Sequence, residues 1–238
     1  MFKLFKRNEI INHPGSYPSI YEDMRKQPHL LIAGATGSGK SVALNGLIFC
    51  LLHYDPKQMG LILIDPKRVE LSQYRNCPHT IRYASEPRAM IEALYTAMDI
   101  CDSRYRNMQK RGLRKWDGGH IYVVIDEFAD LMTTNRKAVA PIIQRLAQIG
   151  RASGVHVVLC TQTPIAKVLP TEIKCNFDSR LGLRTRSAQD SRNILERSGL
   201  ETLPRYGQGI YRTPEHETLY NIPLISESDI QDVIDFWR

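Results

Sequence analysis

An α/β fold with a central, mostly parallel sheet covered by helices on both faces is what this sequence predicts, and three observations carry the prediction. Short apolar runs recur at Leu30–Ala33, Gly60–Asp65, His120–Asp126, Val155–Thr161 and Ser179–Leu183. They are nearly continuous rather than alternating, as strands buried on both faces require. Helical periodicity fills the intervals, and a glycine-rich stretch joins the first strand to the first helix.

Taken in order, Leu30–Ala33 ends at Gly34, and Ser41–Leu52 follows with a helical pattern. After GLILID at Gly60–Asp65, Ile91, Leu94, Met98, Cys101, Tyr105 and Met108 recur at spacings of three and four. One long helix is therefore expected over about Glu86–Arg111, its stripe packed on the sheet. Beyond HIYVVID at His120–Asp126, a helix is expected over about Ala138–Ala152, with Val139, Ile143, Leu146 and Ala147 on one face and Pro141 in the first turn. The tail carries Ser226-x-x-Asp229, a capping signal ahead of the Ile230, Val233, Ile234, Trp237 face. No internal repeat or linker divides the chain, so residues 28–238 form one domain and residues 1–27 a peripheral segment.

Composition narrows the function classes. The 238 residues are 42% hydrophobic and 24% charged, which excludes disorder, collagen and coiled coil. The longest apolar run, Val42–Leu52, falls well short of the ~20 residues a bilayer span needs, and Met1–Ile11 lacks the apolar core of a signal peptide. Cys50, Cys77, Cys101, Cys160 and Cys175 form no CxxC pair, which suits buried thiols in the cytoplasm. A net charge of +7 favours a polyanionic partner such as nucleic acid.

Gly34–Ser41 reads GATGSGKS, matching GxxxxGK[ST] between a strand and a helix. In Gly34, Ala35, Thr36, Gly37, Ser38 and Gly39 the residue types let consecutive N–H groups face an anion, and the helix start adds partial positive charge. Phosphate is the expected ligand. Lys40 would reach the β- and γ-phosphates of ATP, and the Ser41 hydroxyl would supply an oxygen to Mg²⁺.

IYVVIDE at Ile121–Glu127 ends an apolar strand in two carboxylates. Alone, such a pair also fits a solvated turn; beside a phosphate loop it implies hydrolysis. Asp126 would hold the Mg²⁺ water shell, and Glu127 would orient or deprotonate the attacking water. Asp130 reads as a solvated or capping carboxylate. If Val155–Thr161 inserts between the two motif strands, Gln162 falls near the γ-phosphate as a sensor.

The segments PHLLIAGATGSGKS, LILIDPKRVELSQY, VVIDEFADLM, RLAQIGRASGVHVVLCTQ and DSRNILERSG follow one another from Pro28 to Trp237. In these the chain resembles the FtsK/SpoIIIE family of hexameric DNA translocases. The resemblance implies a RecA-like P-loop motor domain, a six-membered homo-oligomeric ring around double-stranded DNA, and ATP sites between neighbouring subunits. By position it makes Lys40 and Ser41 the Walker A pair, Asp126 and Glu127 the Walker B pair, Gln162 the sensor and Arg151 the arginine finger of the neighbouring site. Asp65 and Lys67 match a family signature whose chemistry the sequence leaves open.

Thr163 stands where the family pattern has an arginine, and Ala188 where a lysine is common, leaving Arg186 as the nearby basic residue. With no anchor, preceding domain or winged-helix reader expected, the chain reads as a bare motor core. Phosphate-directed DNA contacts are expected first from Thr163–Cys175, with Lys167 and Lys174. The basic run Arg104–Lys115 reads as a solvated face. Two other functions fit the same residues: a secretion or conjugative coupling ATPase acting on protein, and a nucleotide-dependent DNA-binding accessory of a mobile element.

Overall fold

Eight strands form one sheet in the computed structural model, which describes residues 28–238. The expected peripheral segment, 1–27, lies outside the described residues. The strands are β1 (His29–Ala33), β2 (Met59–Ile64), β3 (Thr80–Ala84), β4 (His120–Ile125), β5 (Val155–Thr161), β6 (Ser179–Leu183), β7 (Gln208–Arg212) and β8 (Glu217–Asn221). The helices are α1 (Lys40–Leu51), α2 (Pro87–Arg111), α3 (Phe128–Ser153), α4 (Thr171–Lys174), α5 (Ala188–Leu195) and α6 (Glu227–Phe236). The strand order is β3-β2-β4-β5-β1-β6-β7-β8, parallel except for β7 and β8.

Every residue of β1, β2, β5 and β6 is buried, which is why those strands read as apolar runs. Alternate side chains feed two cores. Leu31, Ile62, Val123 and Val157 meet Leu94 of α2 and Ile143 and Leu146 of α3 on one face. Leu30, Leu61, Val124 and Val158 meet Leu44 and Leu47 of α1 and Ile230 and Ile234 of α6 on the other. The capping box at Ser226 and Asp229 starts α6 as expected, and Trp237 Nε1 donates to the Leu52 carbonyl at 2.8 Å, fixing that helix on the end of α1.

Two expectations need correction. The helix placed at Ala138–Ala152 begins instead at Phe128, and it bends at Asn135, whose backbone is non-helical (φ −136, ψ 28). Thr133 and Thr134 donate to the carbonyls of Ala129 and Asp130, and Pro141 removes one helical N–H just beyond the bend. Pro141 therefore lies inside the helix, past its first turn. The polar Thr133–Arg136 stretch had masked the continuity. Second, Cys175 is exposed, whereas the other four cysteines are buried as expected.

β5 lies between β1 and β4, pairing Ala33 with Thr161 and Ile125 with Leu159. The carboxyl ends of β1, β4 and β5 thus converge, and Gly34, Asp126 and Gln162 follow directly at one edge of the sheet.

Candidate nucleotide site

The phosphate loop is shaped by its glycines. Gly37 (φ 71) and Gly39 (φ 92) occupy left-handed conformations, and a Cβ on Gly34 would stand 2.6 Å from Ser38 Oγ and 2.7 Å from Leu183 Cβ. The loop is tied to both flanking strands, with Gly34 N–H donating to Thr161 O and Ala35 N–H to Arg184 O. α1 starts at Lys40, so its first-turn N–H groups have no intrahelical partner and face the loop.

Lys40 Nζ lies 2.6 Å from Asp126 Oδ1, with both side chains almost fully buried. Burial opposes a charge on Lys40, but the Asp126 and Glu127 carboxylates outweigh it and hold its pKa above the ordinary lysine value. The ammonium is therefore fixed. Burial likewise pushes the neighbouring Cys160 thiol up, so it stays protonated.

Glu127 is buried in a left-handed backbone conformation (φ 58) that non-glycine residues rarely adopt. Its Oε1 accepts from Thr161 Oγ1 and from Gln162 N–H, both at 3.2 Å, and its Oε2 lies 3.5 Å from Lys67 Nζ. Thr36 Oγ1 donates to Gln162 Oε1 at 2.7 Å. The phosphate loop, Gln162 and Glu127 are thereby linked in one chain of hydrogen bonds. Asp130 is half exposed, 3.9 Å from Lys67, as a solvated carboxylate should be.

Three residues of the Asp65–Leu71 segment gain assignments that the sequence did not supply. Buried Asp65 accepts from Leu71 N–H at 3.0 Å and so closes the segment on itself. Lys67 reaches Glu127, and Glu70 Oε1 accepts from Ser41 Oγ at 2.6 Å. The ELSQY run carried the signal, but its partners lie far away in sequence.

Arg151 is exposed in the last turn of α3, where it lines a cavity of about 160 Å³ with Pro28, His29, Cys175 and Asp178. This is the amino end of β1. A strand of that length separates Arg151 from its own phosphate loop by roughly 15 Å. Arg151 and its own phosphate loop therefore sit at opposite ends of the strands.

On the β6 side, Thr36, Gly37 and Ser38 open into a cavity of about 550 Å³ lined also by Arg184, Arg186, Glu201 and Arg205. The Arg205 guanidinium comes within 3.4 Å of where a Gly37 Cβ would stand. Arg186 and Thr163 line a second recess, of about 200 Å³, beside Gln162. Arg186 thus flanks the position where the family arginine is replaced.

The basic run expected as a solvated face and the segment expected to contact DNA fare differently. Within Arg104–Lys115, Arg104 donates to the Ser153 and Gly154 carbonyls and covers the Trp116 ring, while Arg111 pairs with Asp117. That run is partly internal structure. Within Thr163–Cys175, Lys167 is exposed, its carbonyl accepting from Arg136, and Lys174 reaches the Asn193 carbonyl at 3.5 Å.

As a metal site, the donors are the Ser41 hydroxyl and the Asp126 carboxylate, hard oxygens that suit Mg²⁺. No cluster of three or more acidic, His or Cys side chains able to hold an ion stands among the described residues. Mg²⁺ is in general bound through one or two protein oxygens together with substrate phosphates.

A strand–phosphate loop–helix unit, with an inserted strand between it and a paired-carboxylate strand, defines a RecA-like P-loop NTPase fold. The profile of the FtsK/SpoIIIE family matches residues 9–121 and 119–166, and the chain belongs to that family. It is 34% identical over 92% of its length to a DNA translocase FtsK of Rhizobium meliloti, and 37% identical over 90% to one of Helicobacter pylori. It spans 30% and 27% of those two proteins. The solved structure of the pCW3 conjugation coupling protein TcpA, a monomer form with ATPγS, superposes with a TM-score of 0.79 at 25% identity. That match covers 91% of this chain and 66% of the other. No helix among the described residues is long and apolar enough to cross a membrane.

Proposed function

We propose that this chain is an ATP-driven DNA translocase motor, hydrolysing Mg-ATP where copies meet in a six-membered ring around duplex DNA in the cytoplasm. The observation that carries the reading is the position of Gln162. It touches the phosphate loop through Thr36 and the water-activating carboxylate through its own N–H, and Thr163–Cys175 follows it immediately. A change at the γ-phosphate therefore reaches the segment that carries exposed Lys167 in one step.

Lys40 exchanges Asp126 for β- and γ-phosphate oxygens, which frees Asp126 to hold the cation together with a lone pair of the Ser41 hydroxyl. Mg²⁺, when bound, neutralises charge on the phosphates. Glu127, aimed by Thr161, Gln162 and Lys67, orients the attacking water and takes up its proton. The 550 Å³ cavity leaves room for the rest of the nucleotide. Because Arg151 lies at the far edge of its own sheet, its guanidinium serves the site of an adjoining copy. DNA as the moving substrate is supported by the two relatives, both DNA translocases, and by the +7 charge. The likeness to a conjugation coupling protein supports a second reading, the secretion or conjugative coupling ATPase acting on protein.

The test is ATPase rate against protein concentration, with and without linear and circular duplex. A steep concentration dependence with stimulation by duplex is expected. A rate per copy that ignores both dilution and DNA would sink the reading, and stimulation by a partner peptide alone would select protein cargo.

A further inference from the structure

The residue that the nucleotide chemistry above leaves unused is Glu70. Its carboxylate accepts from Ser41 Oγ at 2.6 Å, a short, charge-assisted bond across 29 positions of sequence. The contact is built rather than incidental, because the segment that carries Glu70 is clamped at three further points. Leu71 N–H is held by buried Asp65, and Gln73 Nε2 and Tyr74 Oη both donate to Asn45 Oδ1, at 3.2 and 2.8 Å. Asn45 stands one turn after Ser41 on α1. The Glu70–Gln73–Tyr74 turn is thus laid along the first two turns of the phosphate-loop helix, with a carboxylate on the first rung and a carboxamide on the second.

We infer that Glu70 is a positioning residue for the cation site, acting through the Ser41 hydroxyl. A serine hydroxyl has one proton and two lone pairs. Donating the proton to Glu70 fixes the rotor, directs the lone pairs away from Glu70, and increases their electron density by polarising the O–H bond. A metal-ligating side chain whose own proton is held by a carboxylate is a better and better-oriented donor, and removal of such a partner typically weakens metal affinity about 10- to 100-fold. The inference rests on the proposed nucleotide site, and it adds a carboxylate that comes from the loop after β2 rather than from the end of the acidic strand β4.

Two alternatives make different predictions. If Glu70 only fastens the turn to α1, breaking the other rungs should be equivalent to removing it. If it acts on Ser41, only its own removal affects the cation. The experiment measures binding of a fluorescent ADP with saturating Mg²⁺ and again with EDTA, for wild type, Glu70→Gln, Glu70→Ala and Asn45→Ala. Both Glu70 variants should bind within about twofold of wild type in EDTA and lose about tenfold of the gain that Mg²⁺ confers, while Asn45→Ala keeps that gain. Retention of the wild-type Mg²⁺ gain by both Glu70 variants would overturn the inference alone. So would an equal loss in Asn45→Ala. Wild-type protein that binds nucleotide in neither condition would overturn the proposed site as well.

Discussion

The two edges of the sheet handle buried polarity in opposite ways. At the carboxyl edge the buried groups are charged: Lys40 on Asp126, and Glu127 among Thr161, Gln162 and Lys67. At the amino ends of β1 and β5 they are imidazoles. His156 donates from Nδ1 to the Pro28 carbonyl and accepts at Nε2 from His120 at 2.8 Å, with Tyr122 stacked on its ring, and His29 accepts from Val157 N–H. Burial lowers the His29 pKa to about 4, only partly offset by the Ala147 carbonyl. Burial, then the neighbouring imidazoles, drives His156 well below its ordinary value. The contrast separates two uses of a sheet end. Charges held in exchangeable pairs can be traded for a ligand's charges, whereas neutral rings bonded to backbone have nothing to trade.

The sharpest way to break that contrast is to remove a charge at the carboxyl edge. Lys40→Ala should weaken nucleotide binding by at least about 100-fold in a direct titration, from the loss of charge-assisted phosphate contacts. It should also lower the melting temperature, because breaking a buried pair leaves Asp126 uncompensated at about 3–5 kcal/mol. Glu127→Gln keeps the charge pair and the fold. Binding should survive there while turnover falls by roughly 100-fold or more, and normal hydrolysis would remove Glu127 from its assigned role.

Arg151→Ala probes the amino edge as a donor to another copy. Turnover should fall by roughly 10³-fold with nucleotide affinity intact. Mixing this variant with Lys40→Ala should restore activity that neither has alone, since one supplies an intact loop and the other an intact guanidinium. Failure of the mixture to recover would place Arg151 outside the site.

The smallest effect is the slowest to appear. Since His29 and His156 are held neutral, the unfolded chain takes up their protons first as pH falls below about 6.5. Stability is full above that value and lost on the way down towards pH 4, with His29 alone contributing a loss of about 2 kcal/mol by pH 5. Melting temperature followed from pH 7.5 to 5 should fall, and His29→Phe should flatten the slope. An unchanged slope would mean that another group dominates the acid limb.

Much of this was legible in the amino-acid order. GATGSGKS, the IDE ending and the position of Gln162 follow from local spacing and from strands buried on both faces, and the sheet places them together as expected. Three strands escaped notice. Thr80–Ala84, Gln208–Arg212 and Glu217–Asn221 lie towards or at the edges of the sheet, where TIRYA and ETLYN admit charge and exposure and so lose the apolar signature. The work of Lys67 and Glu70 was hidden for a different reason. Their partners lie 60 and 29 residues away: the β2–β4 pairing sets Lys67 beside Glu127, and the turn after β2, laid along α1, sets Glu70 on Ser41. The bend at Asn135 was obscured because its polar neighbours break the helical period that the backbone nevertheless continues.

The exposure of Cys175 has a practical side. Burial pushes the Cys50 thiol up to about 12 and raises those of Cys77, Cys101 and Cys160 as well, leaving one sulfur open to a reagent. A maleimide fluorophore added to the unaltered polypeptide would attach beside Arg151 and would dim or brighten as a neighbour docks there, giving an optical gauge of assembly without a single engineered residue.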